Sequence, residues 1–498
     1  MIPEVRLQPQ KDVLSIRMNN RNPNSAFALG IRALRGKRPA LPVSEGEAVM
    51  RVILFGIAVA VICCFSTQEA SAQSHPLSPL LPTNASLGRI GLTRMWWGTA
   101  TMDAQRDKLL YLMLDDTHLF AHSSNGVLSC FESETGRKLW ATALGGQDEP
   151  AYEPTSNHKY VIILSGSILF ALKKETGDIA WQFPLSQGPS TAPVVDEEQV
   201  YFGTVNGNLL SFDLEKLTDN FMKRRKEDSA YRAFVFKYNI PTHIDQPPVV
   251  QNKFVAFTGS GTHQTTYVLG RDRALKYQFD TPAPVSCELA AHGNMLFICS
   301  EDSQLYALNM LTGGLRWQAV MGGPVTQTPR SVENDLYVTP AGVGLRRFDL
   351  RNGHEKWAGP IKGIEQFIAV TRPSGKKAGS VYGSDRTGTL VQINRETGKI
   401  TGRAMLDRFT MRVRNELTDR IYMASPSGTI IALREKEREL PVYYKFPDRL
   451  PILPEFAPEQ APAVKEPAEG DAPAAEGAAG DKAADKPEAT EKPTEETN

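Results

Sequence analysis

An eleven-residue sentence ending in tryptophan recurs along this chain and constrains its fold more than any other feature. It reads CFESETGRKLW at 130–140, ALKKETGDIAW at 171–181, ALNMLTGGLRW at 307–317 and RFDLRNGHEKW at 347–357. Weaker copies fill the gaps: SFDLEKLTDN from Ser211, YVLGRDRALKY ending at Tyr277, QINRETGKITG from Gln392 and ALREKERELPVYY from Ala432. Eight units in roughly 330 residues, about forty to forty-five residues apart, have the period of four-stranded propeller blades.

Within one unit the local chemistry favours strands. Met295 to Ile298 and Leu305 to Leu308 are apolar runs too short for helices, separated by the polar turn Ser300-Glu301-Asp302-Ser303. Neither run alternates strictly, as suits a sheet covered on both faces. The Thr-Gly step then predicts a second hairpin: Gly136, Gly177, Gly313 and Gly353 can take positive φ, and an upstream Asn or Asp, as at Asn309, Asp349 and Asn394, can hold the turn through its side-chain oxygen. The expected fold is therefore all-β, an eight-bladed propeller over residues 85–445.

The small-x-Asp-x-x-Thr-Gly-x-x-x-Trp pattern resembles the tryptophan-docking motif of the PQQ-like, quinoprotein-type propellers, in which each Trp packs between blades. The resemblance implies docking roles for Trp140, Trp181, Trp317 and Trp357 and their Thr-Gly turns. Cys130 occupies the small first position and reads as a buried thiol. Arg347 and Gln392 depart from the pattern and Gly402 replaces the Trp, so those blades should dock differently. The segment RMWWGTATMD at 94–103 resembles a last strand without its hairpins; it is expected to complete the blade begun near DRIYMASPSGTIIALRE, with Trp96 or Trp97 in a docking slot.

The ends of the chain read differently. Residues 50–73 carry one basic residue, an apolar run from Val52 to Phe65, and Ala70-Ser71-Ala72, the pattern of a secretory signal cleaved after Ala72. The apolar run is short for a membrane span. Met50 is expected to be the true start, with residues 1–49 a non-native extension. Cys63 and Cys64 end the apolar run, but Ile62 stands where a lipidation site has a small residue, so an exported, unanchored periplasmic or envelope protein is expected. Residues 455–498 are rich in Ala, Pro, Glu and Lys, a composition that does not support a core and predicts disorder. From Ala457 onward eleven acids face four lysines, although the whole chain balances 56 basic against 56 acidic residues and offers no charge argument for nucleic acid.

Candidate chemistry is sparse. Quinoprotein dehydrogenases bind pyrroloquinoline quinone with calcium beneath adjacent cysteines; the adjacent pair here, Cys63-Cys64, lies in the expected signal, and no Asp-x-Asp-x-Asp-Gly calcium loop occurs. His118 and His122, four apart in a strand, would sit roughly 13 Å apart, too far for one zinc ion. No Gly-x-Ser-x-Gly or Walker loop is present. We expect no catalytic, cofactor or metal site. The closer resemblance is to the BamB-type propellers of outer-membrane β-barrel assembly, which implies a monomeric protein-binding scaffold with envelope partners. A glycan- or small-ligand-binding propeller is the alternative.

Two local features remain. CELAAHGNMLFIC is symmetric about Gly293, so with a His292-Gly293-Asn294 turn Cys287 and Cys299 would lie opposite each other, either bonded or as packed thiols. The stretch 214–234 lengthens its unit by about fifteen residues, with Leu217 and Phe221 four apart and the basic run Lys223-Arg224-Arg225-Lys226. It reads as a rim insertion, either a partner surface or a solvated helix.

Overall fold

The computed structural model describes residues 81–452 except 147–148, 223–232, 262–264, 376–377 and 446. The expected extension and signal (1–72) and tail (455–498) therefore lie outside the described residues.

Seven four-stranded sheets and one three-stranded sheet follow each other as antiparallel meanders around a ring. Blade 1 comprises Leu109–Leu114, His118–Ser123, Val127–Glu132 and Lys138–Ala143, numbered first to fourth strand from the axis outward. Blade 2 spans Thr155–Ser156 to Ile179–Pro184, blade 3 Val194–Val195 to Phe234–Asn239, and blade 4 Val249–Gln251 to Leu275–Asp280. Blade 5 runs from Ala290–His292 to Leu315–Val320, blade 6 from Arg330–Val332 to Arg346–Asp349, and blade 7 from Gln366–Val370 to Ile400–Met405. Blade 8 joins the ends of the ring: Leu92–Thr99 pairs antiparallel with Thr429–Glu435, followed inward by Ile421–Ala424 and Met411–Arg412. A fully closed ring leaves no blade without neighbours, which removes the edge problem of an open array.

Burial follows position in the blade. The second strands His118–Ser123 and Tyr160–Ser165 are buried at every residue, because neighbouring blades cover both faces. Fourth strands such as Leu315–Val320 alternate, burying chiefly the docking residue and exposing the rest. The core is correspondingly a series of inter-blade clusters, such as the one joining Phe120, Cys130 and Trp140 to Val161, Ile163 and Phe170.

Among the described residues two helices accompany the strands. Helix α1, Asn84–Gly88, is capped by Thr83, whose hydroxyl accepts from the Ser86 amide at 3.2 Å, and it precedes the ring-closing strand. Helix α2, Leu214–Met222, lies between the third and fourth strands of blade 3. There Asp213 holds the repeat's acidic slot, and its Oδ1 accepts from the Lys216 amide at 2.9 Å. The same carboxylate that elsewhere fastens a tight turn here caps a helix.

Candidate functional site

The antiparallel meander sends the connections between first and second strands and between third and fourth strands to one side of the ring, here called the turn face. The Thr-Gly turns, α2 and the chain leaving blade 8 all lie on that face.

The docking residues form a girdle just inside it. Trp140 Nε1 donates to Lys174 O at 2.8 Å, Trp317 to Leu350 O at 3.1 Å and Trp357 to Arg395 O at 2.9 Å, each in the following blade. Trp96 closes the ring the same way, donating to Ser133 O at 2.9 Å, while Trp97 is 47% exposed. Gly136, Gly177, Gly313 and Gly353 have φ of 70° to 74°. A Cβ on Gly136 or Gly177 would stand 2.4 Å from the indole of Trp96 or Trp140, so the ring lies flat against the glycine. Cys130 pairs across the sheet with Trp140 and is fully buried, and burial pushes its thiol well above the usual range.

Four blades depart locally from the repeat. Blade 3 has helix α2 in place of the turn, so Trp181 packs with Leu214 and Leu217, and its buried indole N–H finds no acceptor. In blade 4 the turn is one residue shorter than the repeat suggests: Val268, not Tyr267, pairs with Tyr277, and Arg273 takes the positive φ, 70°. Blade 6 breaks its fourth strand into single bridges, Phe348 with Glu355 and Leu345 with Ile361. Arg347 there donates through Nη2 to Asp335 at 2.8 Å; Lys356 and Arg395 also reach Asp335, at 2.8 and 2.7 Å. In blade 7, Ile90 fills the space beside Gly402, and a cavity of about 510 Å³ persists at this seam, lined in part by Gln392, Thr401, Glu435 and Arg438.

The cysteine hairpin departs from its expected register. His292 pairs with Met295, so the turn is the two-residue Gly293-Asn294, and Ser286 rather than Cys287 donates its amide to Cys299 O, at 2.8 Å. An isolated bridge between Val285 and Ser300 displaces the strand by two residues relative to the regular pairing. Cys287 and Cys299 are free, buried thiols in one core cluster, and their sulfurs interact. Lys223, Arg224, Arg225 and Lys226 lie outside the described residues; of the predicted apolar pair, Leu217 is on the buried side of α2.

Two turn-face features have no counterpart in the repeat. The first is a strap, residues 436–452. Val442 donates its amide to Asp419 Oδ1 at 3.0 Å, and the Tyr444 hydroxyl reaches Val370 O of blade 7 at 2.7 Å. On blade 1, Glu134 accepts from the Tyr443 hydroxyl, from Arg449 Nη2 at 3.4 Å and from the Ile452 amide at 2.7 Å. The strap thus crosses from blade 7 over blade 8 to blade 1.

The second is a cavity of about 520 Å³ at the mouth of the central channel, lined by first strands and turns of blades 1, 2, 6 and 8, by Glu197 of blade 3 and by Lys445 of the strap. Lys174 is neutralised there by Asp115 at 2.5 Å and Asp116 at 3.3 Å. Burial, and then Asp116, raise the Asp115 carboxyl to about 6. Arg330 and Arg414 line the same cavity. Burial, and then the Arg330 charge, lower the Arg414 guanidinium below its ordinary range, while burial and Glu288 raise the Glu153 carboxyl. Repeat spacing could not reveal this grouping: Lys174 belongs to a repeat turn and Arg330 to a first strand, and they converge only when the ring closes. Among the described residues no three His, Cys, Asp or Glu side chains gather as a metal site, and no helix is long and apolar enough to cross a membrane.

A closed ring of eight blades, fastened by Trp-on-Gly contacts, defines a PQQ-like repeat propeller. The family model described as outer membrane protein assembly factor BamB matches residues 124–234 and 271–420, just over half of the chain, and the chain belongs to that family. It is similar to the outer membrane protein assembly factor BamB of Yersinia pestis, 22% identical over 306 residues, which cover 57% of this chain and 62% of that protein. The match therefore spans less than two thirds of that relative's length. The crystal structure of BamB from Moraxella catarrhalis superposes with a TM-score of 0.50 at 16% identity, covering 70% of this chain and 98% of that one, a likeness of fold.

Proposed function

We propose that this protein is a non-catalytic, exported scaffold that presents the turn face of its ring to other envelope proteins, in a BamB-type role in outer-membrane protein assembly. The observation that carries the reading is where the departures from the repeat collect. The α2 insertion, the strap and the charged channel mouth all decorate one face, while the docking girdle beneath them is spent on holding blades together. Concentrating variable elements on one rim of a rigid repeat array is how such scaffolds present binding surfaces. Family membership supports the same setting, as does the name of the Yersinia pestis relative. Export rests on the signal-like residues 50–73.

The test is a pull-down from envelope extract with tagged protein beginning at Gln73. Outer-membrane barrel or assembly proteins should co-purify. A pull-down without them, accompanied by binding on a glycan array, would replace the scaffold reading with a ligand-binding one.

A further inference from the structure

The channel mouth holds more cationic donors than the protein satisfies. Arg330 reaches one carboxylate, Glu416, at 3.7 Å, and its Nε is buried without an acceptor. Arg414 makes no hydrogen bond, and no ion pair within 4 Å, among the described residues. Its electrostatic partners are Arg330, which repels it, and Glu288 and Glu153, which attract it from beyond ion-pair distance. Glu288 already accepts from the Thr328 hydroxyl at 2.8 Å.

A half-buried guanidinium that has no acceptor and shares a cavity with a second one is costly unless an anion joins them. We propose that the channel mouth is a binding site for a carboxylate, clamped between Arg330 and Arg414 and carried by an acidic segment of a protein partner. A single negative charge suits the site better than a phosphate dianion, because Glu153 and Glu288 share the channel and would repel the second charge. The cavity of about 520 Å³ admits a side chain or a short segment but not a folded domain. Lys174 adds little, being neutralised by its two aspartates. The inference rests on the scaffold reading above and gives it a chemical point of contact.

Calorimetric titration of the full chain with blocked Gly-Glu-Gly-Glu-Gly, its Gln counterpart and glutarate tests it. The Glu peptide should bind, weaken with salt and exceed both the Gln peptide and glutarate. Arg330→Gln and Arg414→Gln should each weaken it about tenfold or more, as expected for loss of a charge-assisted bond. Arg414→Lys should recover part of the loss, with unfolding temperatures unchanged. A second full chain carrying Gln or Asn at every tail acid beyond 452 reveals the chain's own tail as a competitor if its peptide affinity rises. Absence of peptide binding to both chains, binding indifferent to the Gln substitutions, or glutarate binding as tightly as the peptide would overturn the proposal. The envelope pull-down, repeated with Arg414→Gln, separates the two readings: lost peptide binding with retained partners leaves the scaffold intact and removes only this contact.

Discussion

Asp335 shows how one side chain can brace a blade that has lost its small slot. Where other blades place a small residue, Arg347 intrudes, and the buried Asp335 gathers Arg347, Lys356 and Arg395 around its carboxylate. Burial alone would raise that carboxyl, but the hydrogen bonds from Arg347, Lys356 and Arg395 outweigh it and hold it below the usual range. A depressed carboxyl stabilises the fold above its unfolded pKa, about 4, and that contribution is lost as pH falls through the folded value. Asp335→Asn should cost about 3–5 kcal/mol at neutral pH, the scale for breaking a buried charge cluster. It should also flatten the loss of unfolding temperature below about pH 4; an unchanged acid limb would remove Asp335 from that role. Cys287 and Cys299 give a second prediction at this scale. The departure from the expected register favours packed thiols, so alkylation of unfolded, unreduced protein followed by mass spectrometry should find both sulfurs modified. A linked peptide pair would restore the disulfide.

At the scale of elements, helix α2 separates two tryptophans that the sequence makes look alike. Trp140 donates to Lys174 O beneath a Thr-Gly turn, whereas Trp181 lies against α2 with its N–H unpaired. Replacing Trp140 with Phe forfeits a buried hydrogen bond and strands a carbonyl; replacing Trp181 with Phe removes an orphan donor. Trp140→Phe should therefore be about 1–2 kcal/mol more destabilising than Trp181→Phe in denaturant titrations. Equal losses would mean that the two sites are equivalent. The strand order and the turn glycines of the four strong repeats were legible because period and turn chemistry are local properties. The shortened turn of blade 4 and the broken fourth strand of blade 6 were not, since a one-residue deletion or an arginine in a small slot acquires meaning only against the neighbouring blade.

For the whole molecule, the ring is fastened twice across the junction of its ends. Leu92–Thr99 pairs with the last strand of blade 8, and the strap carries the chain on to Glu134 of blade 1. Glu134→Ala should leave the girdle intact while speeding hydrogen exchange of the Tyr444 and Ile452 amides tenfold or more, leaving blade 3 unaffected. Exchange that quickens uniformly around the ring would mean that Glu134 supports the fold as a whole and not the strap.

The sequence by itself determined the repeating unit and the eight-bladed class, because both follow from spacing within some forty residues, and its resemblance to the docking motif implied inter-blade roles for the tryptophans; their seating on glycines belongs to the structure. The Trp slot absent at Gly402 was equally visible, but its filling by Ile90 was not. Only the tertiary structure decided the strap's path to Glu134 and the meeting of Arg330, Arg414, Glu153 and Glu288 in one channel. These residues come from blades far apart in sequence and carry no common period. Ring closure brings them together, and only then do burial and mutual charge act on them.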